Sequence, residues 1–359
     1  MQIIKQNVGV EVDSKTLQLV FYVLDGNLDI HNKGRRKFSN TTTGFKDMEK
    51  WIESKRIGDT KIHLTMEATG VYSENVSYYF CKNEKYSIHI ILPNVARAYF
   101  NSYNMKSKTD DIDAQGLARL GLERKLAEWK PASEQMRRIR KLSRSRLQLV
   151  KTKTMTTNQL HAEQSSNKPE KLVVQTLKSH LKFLEKQIKK LEDAMHIEVQ
   201  KDEHLSSQIN NICQAPGVGF ITAIGVMAEL DSFRMFKNRS QIVSFCGYDV
   251  VKKESGSSVR GKERISKKGN SRVRKMLYMA AMSAVRFDEH HKDYYQRIVR
   301  KTGIKMKGNV AIQRKLLLLI FALSNPENIF DKKHPHRMQE ELKKLQEQKV
   351  EQSLVPLTE

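Results

Sequence analysis

Residues 107–114 read SKTDDIDA and put three aspartates into four positions of a chain whose formal charge is +24. Dense negative charge in a cationic protein suggests a place that must hold cations. On a helix, Asp110 and Asp113 lie about 60° apart and share one face, whereas Asp111 lies roughly 160° from Asp113 and points elsewhere. Two more carboxylates end β-rich runs: Asp13 closes VGVEVD and Glu67 closes IHLTME. If Asp13, Glu67, Asp110 and Asp113 converge, they repel; two carboxylates about 5 Å apart cost roughly 3 kcal/mol at an effective dielectric of about 20. Such a group either takes up protons or binds a divalent cation, and hard oxygen ligands favour Mg2+, with Mn2+ as the alternative. A pair of such ions can clamp the attacking and leaving oxygens of a phosphodiester. The acids also have ordinary explanations. Asp110 serves equally well as an N-cap with Asp113 as its capping-box partner, and Asp13 as a turn residue. Glu67 is harder to explain away, because TMEATGVY sets it in an apolar run where an unpaired carboxylate is costly.

A second candidate chemistry lies in KKESGSSVRGKERISKKGNSR, residues 252–272. A serine attacks phosphorus when something takes its proton and something neutralises the phosphate. Lys252, Lys253, Arg260, Lys262 and Arg264 supply positive charge, and Lys267, Lys268, Arg272 and Arg274 extend it. From residue chemistry alone this is a flexible segment that grips phosphates rather than the site of a nucleophile. The turn APGVGF, residues 215–220, is either a backbone cradle for a phosphate or a tight helix–helix corner.

The elements that must position these groups follow from pattern. NVGVEV and LQLVFYVL are strands flanking DSKT, and DGN is a turn leading to a further strand. KIHLTME and YSIHIIL are two more, with a helix over SENVSYYFCKN between them. This is an α/β pattern with a mixed sheet. No glycine-rich phosphate loop follows a strand, so nucleotide-triphosphate chemistry has no support. From Asp110 the chain turns helical, and Pro131 breaks the connection. Residues 133–210 read as two long helices, a coiled-coil-like arm or a plain spacer. Beyond Cys213 come mainly helices, including VRKMLYMAAMSAVRF and NVAIQRKLLLLIFALS. The expected domains are 1–130, an arm over 131–211, a C-terminal domain over 212–330 and a polar charged tail over 331–359.

Composition sets the class. A chain of 359 residues accommodates two cores, and 64 Lys+Arg against 40 Asp+Glu is an electrostatic footprint for nucleic acid. The longest apolar run, LLLLIFAL at 316–323, is too short to span a bilayer, so no membrane partner is expected. Cys81, Cys213 and Cys246 are scattered packing residues and point to the cytoplasm.

With these residues laid out, the chain resembles the insertion-sequence transposases that carry a DEDD, RuvC-like N-terminal domain, a family that includes the Piv-type DNA invertases. GVEVDSK, MEATGVY, KTDDIDA, APGVGFITA followed by AEL, ESG, and RISKKGNSRVRKMLYMAA occur in the family's order and cover most of residues 8–320. The resemblance implies an RNase H-like N-terminal domain in which Asp13, Glu67, Asp110 and Asp113 bind Mg2+. It implies that Ser255, in ESG, attacks DNA and becomes a covalent phosphoserine; Ser257, Ser258 and Ser266 are the competing assignments. It implies DNA partners, donor and target, and a homo-oligomer, dimer or tetramer, in which one subunit's acids work with another's serine. It also implies a guide RNA encoded by the element, so that pairing rather than side chains chooses the sequence. One departure is Glu11, beside the first acid and on its strand face, either a fifth acid or a bystander. Two rival readings are a metal-dependent, junction-resolving nuclease that needs no serine, and a non-catalytic nucleic-acid binder.

Overall fold

Two populations of side chains alternate along the first strand, β1 (Ile3–Val12): Val8, Val10 and Val12 on one face, Asn7, Gly9 and Glu11 on the other. The computed structural model, which describes residues 2–103, 109–252, 254–255, 259–261 and 263–331, turns that alternation into a two-faced sheet. Strand β1 pairs antiparallel with β2 (Thr16–Asp25), and β2 with β3 (Ile30–Ser39). After α1 (Thr42–Lys55) the chain returns as β4 (Ile62–Glu67), parallel to β1. After α2 (Tyr72–Phe80) it returns as β5 (Tyr86–Ile91), parallel to β4. The order is β3-β2-β1-β4-β5, the expected mixed sheet, and α3 (Pro93–Ser102) and α4 (Asp110–Glu123) complete a unit spanning Met1–Pro131.

The apolar face of this sheet is covered by α1 and α2. Val8, Val10, Leu17, Leu19, Phe21, Leu64 and Met66 pack with Phe45, Met48, Trp51, Ile52, Val76 and Phe80 in one buried cluster. The opposite, more polar face is covered by α4. Ala114 and Ala118 bury against Val20, and Asn7 Nδ2 donates to Leu117 O and Ala118 O at 3.3 and 2.7 Å. The helix comes this close because β1 has no side chain at Gly9. A Cβ there would stand 2.0 Å from Ala114 O and 2.3 Å from Ala118 N. Low numbers in β1 therefore meet high numbers in α4, so the first turn of α4 faces the carboxyl end of β1.

The second unit, Ala132–Glu359, is helical. Helices α5 (Glu134–Gln164) and α6 (Lys171–Gln200) are the two long helices expected from the pattern. They run antiparallel, since Arg146 pairs with Glu192 at 2.6 Å and Lys153 with Glu185 at 2.9 Å. Then follow α7 (Glu203–Ile212), α8 (Phe220–Glu229), α9 (Arg239–Phe245), α10 (Ser271–Phe287), α11 (Glu289–Thr302) and α12 (Lys305–Leu323). The roots of the long pair, at Met136, Ile139, Met195 and Val199, lie in the same buried cluster as α7 to α10 and α12. Between α9 and α10 are four two-residue strands: β6 (Val250–Val251), β7 (Glu254–Ser255), β8 (Val259–Arg260) and β9 (Arg264–Ile265). No helix among the described residues is long and apolar enough to cross a membrane. The charged stretch expected as a tail, from 332 on, lies outside the described residues.

Both tryptophans of the chain, Trp51 and Trp129, belong to the first unit, so their fluorescence reports its unfolding alone. Gly9→Ala has nowhere to put its methyl group except into the α4 backbone. It is expected to lower the unit's stability by at least about 2 kcal/mol, read as a lower urea midpoint by tryptophan fluorescence; an unchanged midpoint would contradict this packing.

Candidate active site

The carboxyl ends of β1 and β4 lie side by side. Gly9 pairs with Thr65 and Val10 with Met66, so Glu11 and Glu67 come next on adjacent parallel strands. They share the face of Asn7, Gly9 and Thr65, which is the α4 face. Neighbouring strands are about 4.8 Å apart, so two carboxylates project from nearly the same point. Both residues are half-buried, and neither is without a polar or electrostatic partner.

Helix α4 brings the aspartates to this end. Its N-cap is Thr109, whose Oγ1 accepts from Ile112 N at 3.3 Å. Asp110 is therefore the first helical residue and not the cap, and Asp113 lies one position beyond a capping-box partner. The ordinary explanation of this pair as a cap is overturned. Asp111 does point elsewhere, as the helical geometry requires. Its carboxylate takes Gln18 Nε2 at 3.2 Å, Arg35 Nη1 at 2.9 Å and Gln115 Nε2 at 2.8 Å. Gln18 is the β2 partner of Glu11, so Asp111 pins the first turn of α4 beside the strand that carries Glu11. Acidic residues are also favoured at this end of a helix by its dipole.

Asp13 is placed differently. It lies past the end of β1, exposed, in the turn to β2, where its N–H donates to Thr16 O at 2.9 Å. Backbone N–H groups of Ser14 and Lys15 donate to its carboxylate and hold it below the usual carboxylate range. Asn40 Nδ2 ties Asp13 O to Tyr72 O at 2.9 and 3.1 Å. Among the described residues, no three His, Cys, Asp or Glu side chains are drawn together into a group that could hold a metal ion. What fits a hard divalent cation is the donor set, all carboxylate oxygen, on strands and a helix start that share one end of one sheet face.

In the second unit, Ser255 lies in a nested hairpin. Val250 and Val251 pair with Ile265 and Arg264, and beyond them Glu254 and Ser255 pair with Arg260 and Val259. Lys253, Ser257, Ser258 and Lys262 lie outside the described residues. Ser266, a competing nucleophile, is tied down at the base: its Oγ donates to Asp249 Oδ1 at 2.6 Å and its N–H to Asp249 O at 2.8 Å. Of the expected phosphate-gripping cations, Lys252 pairs with Glu263 at 2.9 Å, both exposed. Arg274 is turned inward, donating to Cys246 O at 2.7 Å and Lys267 O at 3.1 Å. Arg264, Lys267, Lys268 and Arg272 are exposed. The APGVGF turn is a helix corner: Gly217, at φ 75°, sits so close to α10 that a Cβ would meet Ala280 O at 2.3 Å.

Residues 9–163 match the family model for the DEDD transposase of IS110 elements. Residues 209–296 match the model described as transposase IS116/IS110/IS902 family. The chain belongs to the IS110 transposase family. It is a transposase or DNA invertase, an enzyme of DNA recombination. Among its relatives are the pilin gene-inverting proteins of Moraxella bovis and Moraxella lacunata, each 23% identical over 333 residues, 92% of this chain and 98% of theirs. The transposase for insertion sequence element IS1111A of Coxiella burnetii is 23% identical over 262 residues, 65% of this chain and 70% of that one.

Farther along the α4 face of this transposase lies an imidazole pair, His89 buried and His63 half-buried. His63 Nδ1 and His89 Nε2 are 2.8 Å apart, and His89 Nδ1 meets Ala127 O at 2.9 Å. Burial, then His89, Lys5 and Lys61, pull the His63 pKa from its ordinary 6.5 to about 4, with Glu128 opposing; burial also lowers that of His89. Between these limits the unfolded chain takes up a proton that the folded chain refuses, so stability falls as pH falls from about 6.5 towards 4 and is fully present above that window. Urea unfolding followed by tryptophan fluorescence is expected to show a lower midpoint at pH 5 than at pH 7. His63→Leu is expected to flatten that slope, and an equal slope in the variant would contradict the assignment.

Proposed function

We propose that the first unit is an RNase H-like nuclease domain whose centre is Glu11, Glu67, Asp110 and Asp113, with Glu11 taking the role that its sequence neighbour Asp13 suggested. The observation that carries this is the β1–β4 register, in which Glu11 and Glu67 follow one another's paired neighbours on the face that receives the start of α4. The acids of this centre would hold Mg2+, or Mn2+ in its place, and the ion would neutralise charge on the scissile phosphate. The protein's own part is to fix the acids on stiff elements and to bring DNA to them with its surplus positive charge.

Ser255 is the proposed nucleophile. Its Oγ forms a bond to phosphorus, the P–O bond to the departing strand breaks, the serine proton passes to a base or water, and the departing oxygen is protonated. The chain is left joined to one DNA end, and rejoining reverses the step with a new strand. Supporting this is the hairpin around Ser255, which is flanked by exposed Arg264, Lys267, Lys268 and Arg272. In this reading the protein works in the cytoplasm as a homo-oligomer on donor and target DNA, guided by an RNA encoded with it. Sequencing of co-purifying nucleic acid is expected to return one discrete RNA; a random sample of cellular RNA would remove guidance from the proposal.

Two comparisons test the chemistry. Ser255→Ala is expected to abolish covalent protein–DNA adducts on denaturing gels, whereas cleavage that persists without adducts points to a water-using nuclease. Glu11→Gln is expected to slow cleavage by about 100-fold or more, and Asp13→Asn far less. The reverse order would return the first acid to Asp13.

A further inference from the structure

The base of the serine hairpin is fastened to the rest of its unit by a buried carboxylate that the chemistry above does not use. Glu229 ends α8, and its side chain is 1% exposed. Arg144, on α5, donates to it twice, Nε to Oε1 at 2.6 Å and Nη2 to Oε2 at 2.9 Å. The remaining bond comes from Asn270 Nδ2, which donates to Oε2 at 2.9 Å. Asn270 is the N-cap of α10 and the last residue of the segment that returns from the hairpin. Its Oδ1 accepts from Arg272 N and Val273 N at 3.0 and 3.2 Å, and its own N–H donates to Phe245 O at 2.9 Å. One side chain thus starts α10, closes the hairpin base and reports to Glu229.

Most other fastenings of that base are local, although Tyr248 Oη also donates to Gln313 Oε1 at 2.7 Å and so ties the base to α12. Ser266 bonds Asp249, Lys267 N–H bonds Gly247 O at 3.1 Å, and Arg274 bonds Cys246 O and Lys267 O. They hold residues 245–249 and 266–274 to each other. The Glu229–Asn270 bond instead ties this base to α8, and through Arg144 to α5. The backbone after Glu229 is unusual: Asp231, Ser232 and Phe233 have φ of 48°, 51° and 61°, a left-handed turn built without glycine. Such strain costs of the order of 1 kcal/mol or more per residue and persists where the surroundings over-determine it. Here it delivers Phe233 into the core against Phe321, with ring centroids 5.2 Å apart. Burial alone would raise the Glu229 pKa, but the bonds from Arg144 and Asn270 outweigh it and the net shift is downward.

We infer that Glu229 is a positioning residue of the serine centre, acting through Asn270 to fix the direction in which the Ser255 hairpin leaves the helical core. This rests on the reading of Ser255 as nucleophile. The decisive variant is Asn270→Asp. Aspartate caps a helix as well as asparagine, but it sets a carboxylate against Glu229 in place of a donor. The reciprocal swap, Glu229→Gln with Asn270→Asp, restores the bond with donor and acceptor exchanged and leaves the amide oxygen of the introduced glutamine for Arg144.

Adduct formation with DNA by Asn270→Asp, measured well below its melting temperature, is expected to slow about 100-fold with DNA affinity unchanged, and the swap is expected to recover most of the rate. A native rate in Asn270→Asp, or a folded swap that recovers nothing, would overturn the inference. Hydrogen exchange of the backbone amides over 250–265 reads the clasp independently of the chemistry. Faster exchange in Asn270→Asp, reversed in the swap, supports it, and unchanged exchange overturns it. Ser255→Ala is run in parallel: adducts that persist there defeat the serine reading alone, and the exchange data then decide on Glu229.

Discussion

The first unit depends on one close approach, that of the α4 backbone to β1 across Gly9. With no Cβ in the way, Ala114 and Ala118 come down onto the strand, and Asn7 bonds the carbonyls of Leu117 and Ala118 from the same face. That contact fixes both the direction of the helix and its position along the strand. Its first turn consequently faces the carboxyl ends of β1 and β4, where Glu11 and Glu67 stand. The Asp111 bonds to Gln18, Arg35 and Gln115 then hold the turn against sliding or rotating. A helix shifted by one residue would turn its aspartates by about 100° and carry Asp113 off the face.

Much of this was legible in the sequence, and the failures have physical causes. Strands β1, β2, β4 and β5 carry alternation and β-branched residues, and their mixed sheet followed. The strand after the DGN turn was implied but not delimited, because HNKGRRKF within β3 has no apolar rhythm; as the edge of the sheet it buries only Phe38, and its charges guard an open flank. The separation of Asp111 from Asp110 and Asp113 came directly from helical geometry. The proposed preference for Glu11 over Asp13 did not, since alternate residues of one extended run share a face and only the end of the strand divides them. β1 stops at Val12, so one belongs to the sheet and the other to the turn. The cap was equally hidden: Thr109 and Asp110 both suit it, and the bond from Ile112 N–H to Thr109 Oγ1 settles on Thr109.

The second unit shows how much positive charge can go to architecture. Arg140 donates to Ala228 O at 2.7 Å, Arg144 grips Glu229 and Arg274 holds two carbonyls of the hairpin base. Composition cannot distinguish these from cations left for phosphate, which is why the basic segment read as an undivided patch. Its two-residue strands carry no periodicity, so the hairpin could be seen only in the register of Val250 to Ile265. The two candidate chemistries therefore rest on different mechanics: acids on a stiff sheet and a helix start, and a serine on a short hairpin that needs outside support. A buried carboxylate held by a half-exposed arginine and an added neutral donor suits that task, because losing the arginine leaves the Glu229 charge without compensation in the interior.

The most direct test of the proposed centre is to locate Mn2+ by its anomalous diffraction in crystals of the protein with DNA. Manganese is expected among Glu11 and Glu67 on the strands and Asp110 and Asp113 at the start of α4. Manganese bound through Asp13 with Glu11 turned away, or bound nowhere on this face of the sheet, would contradict it.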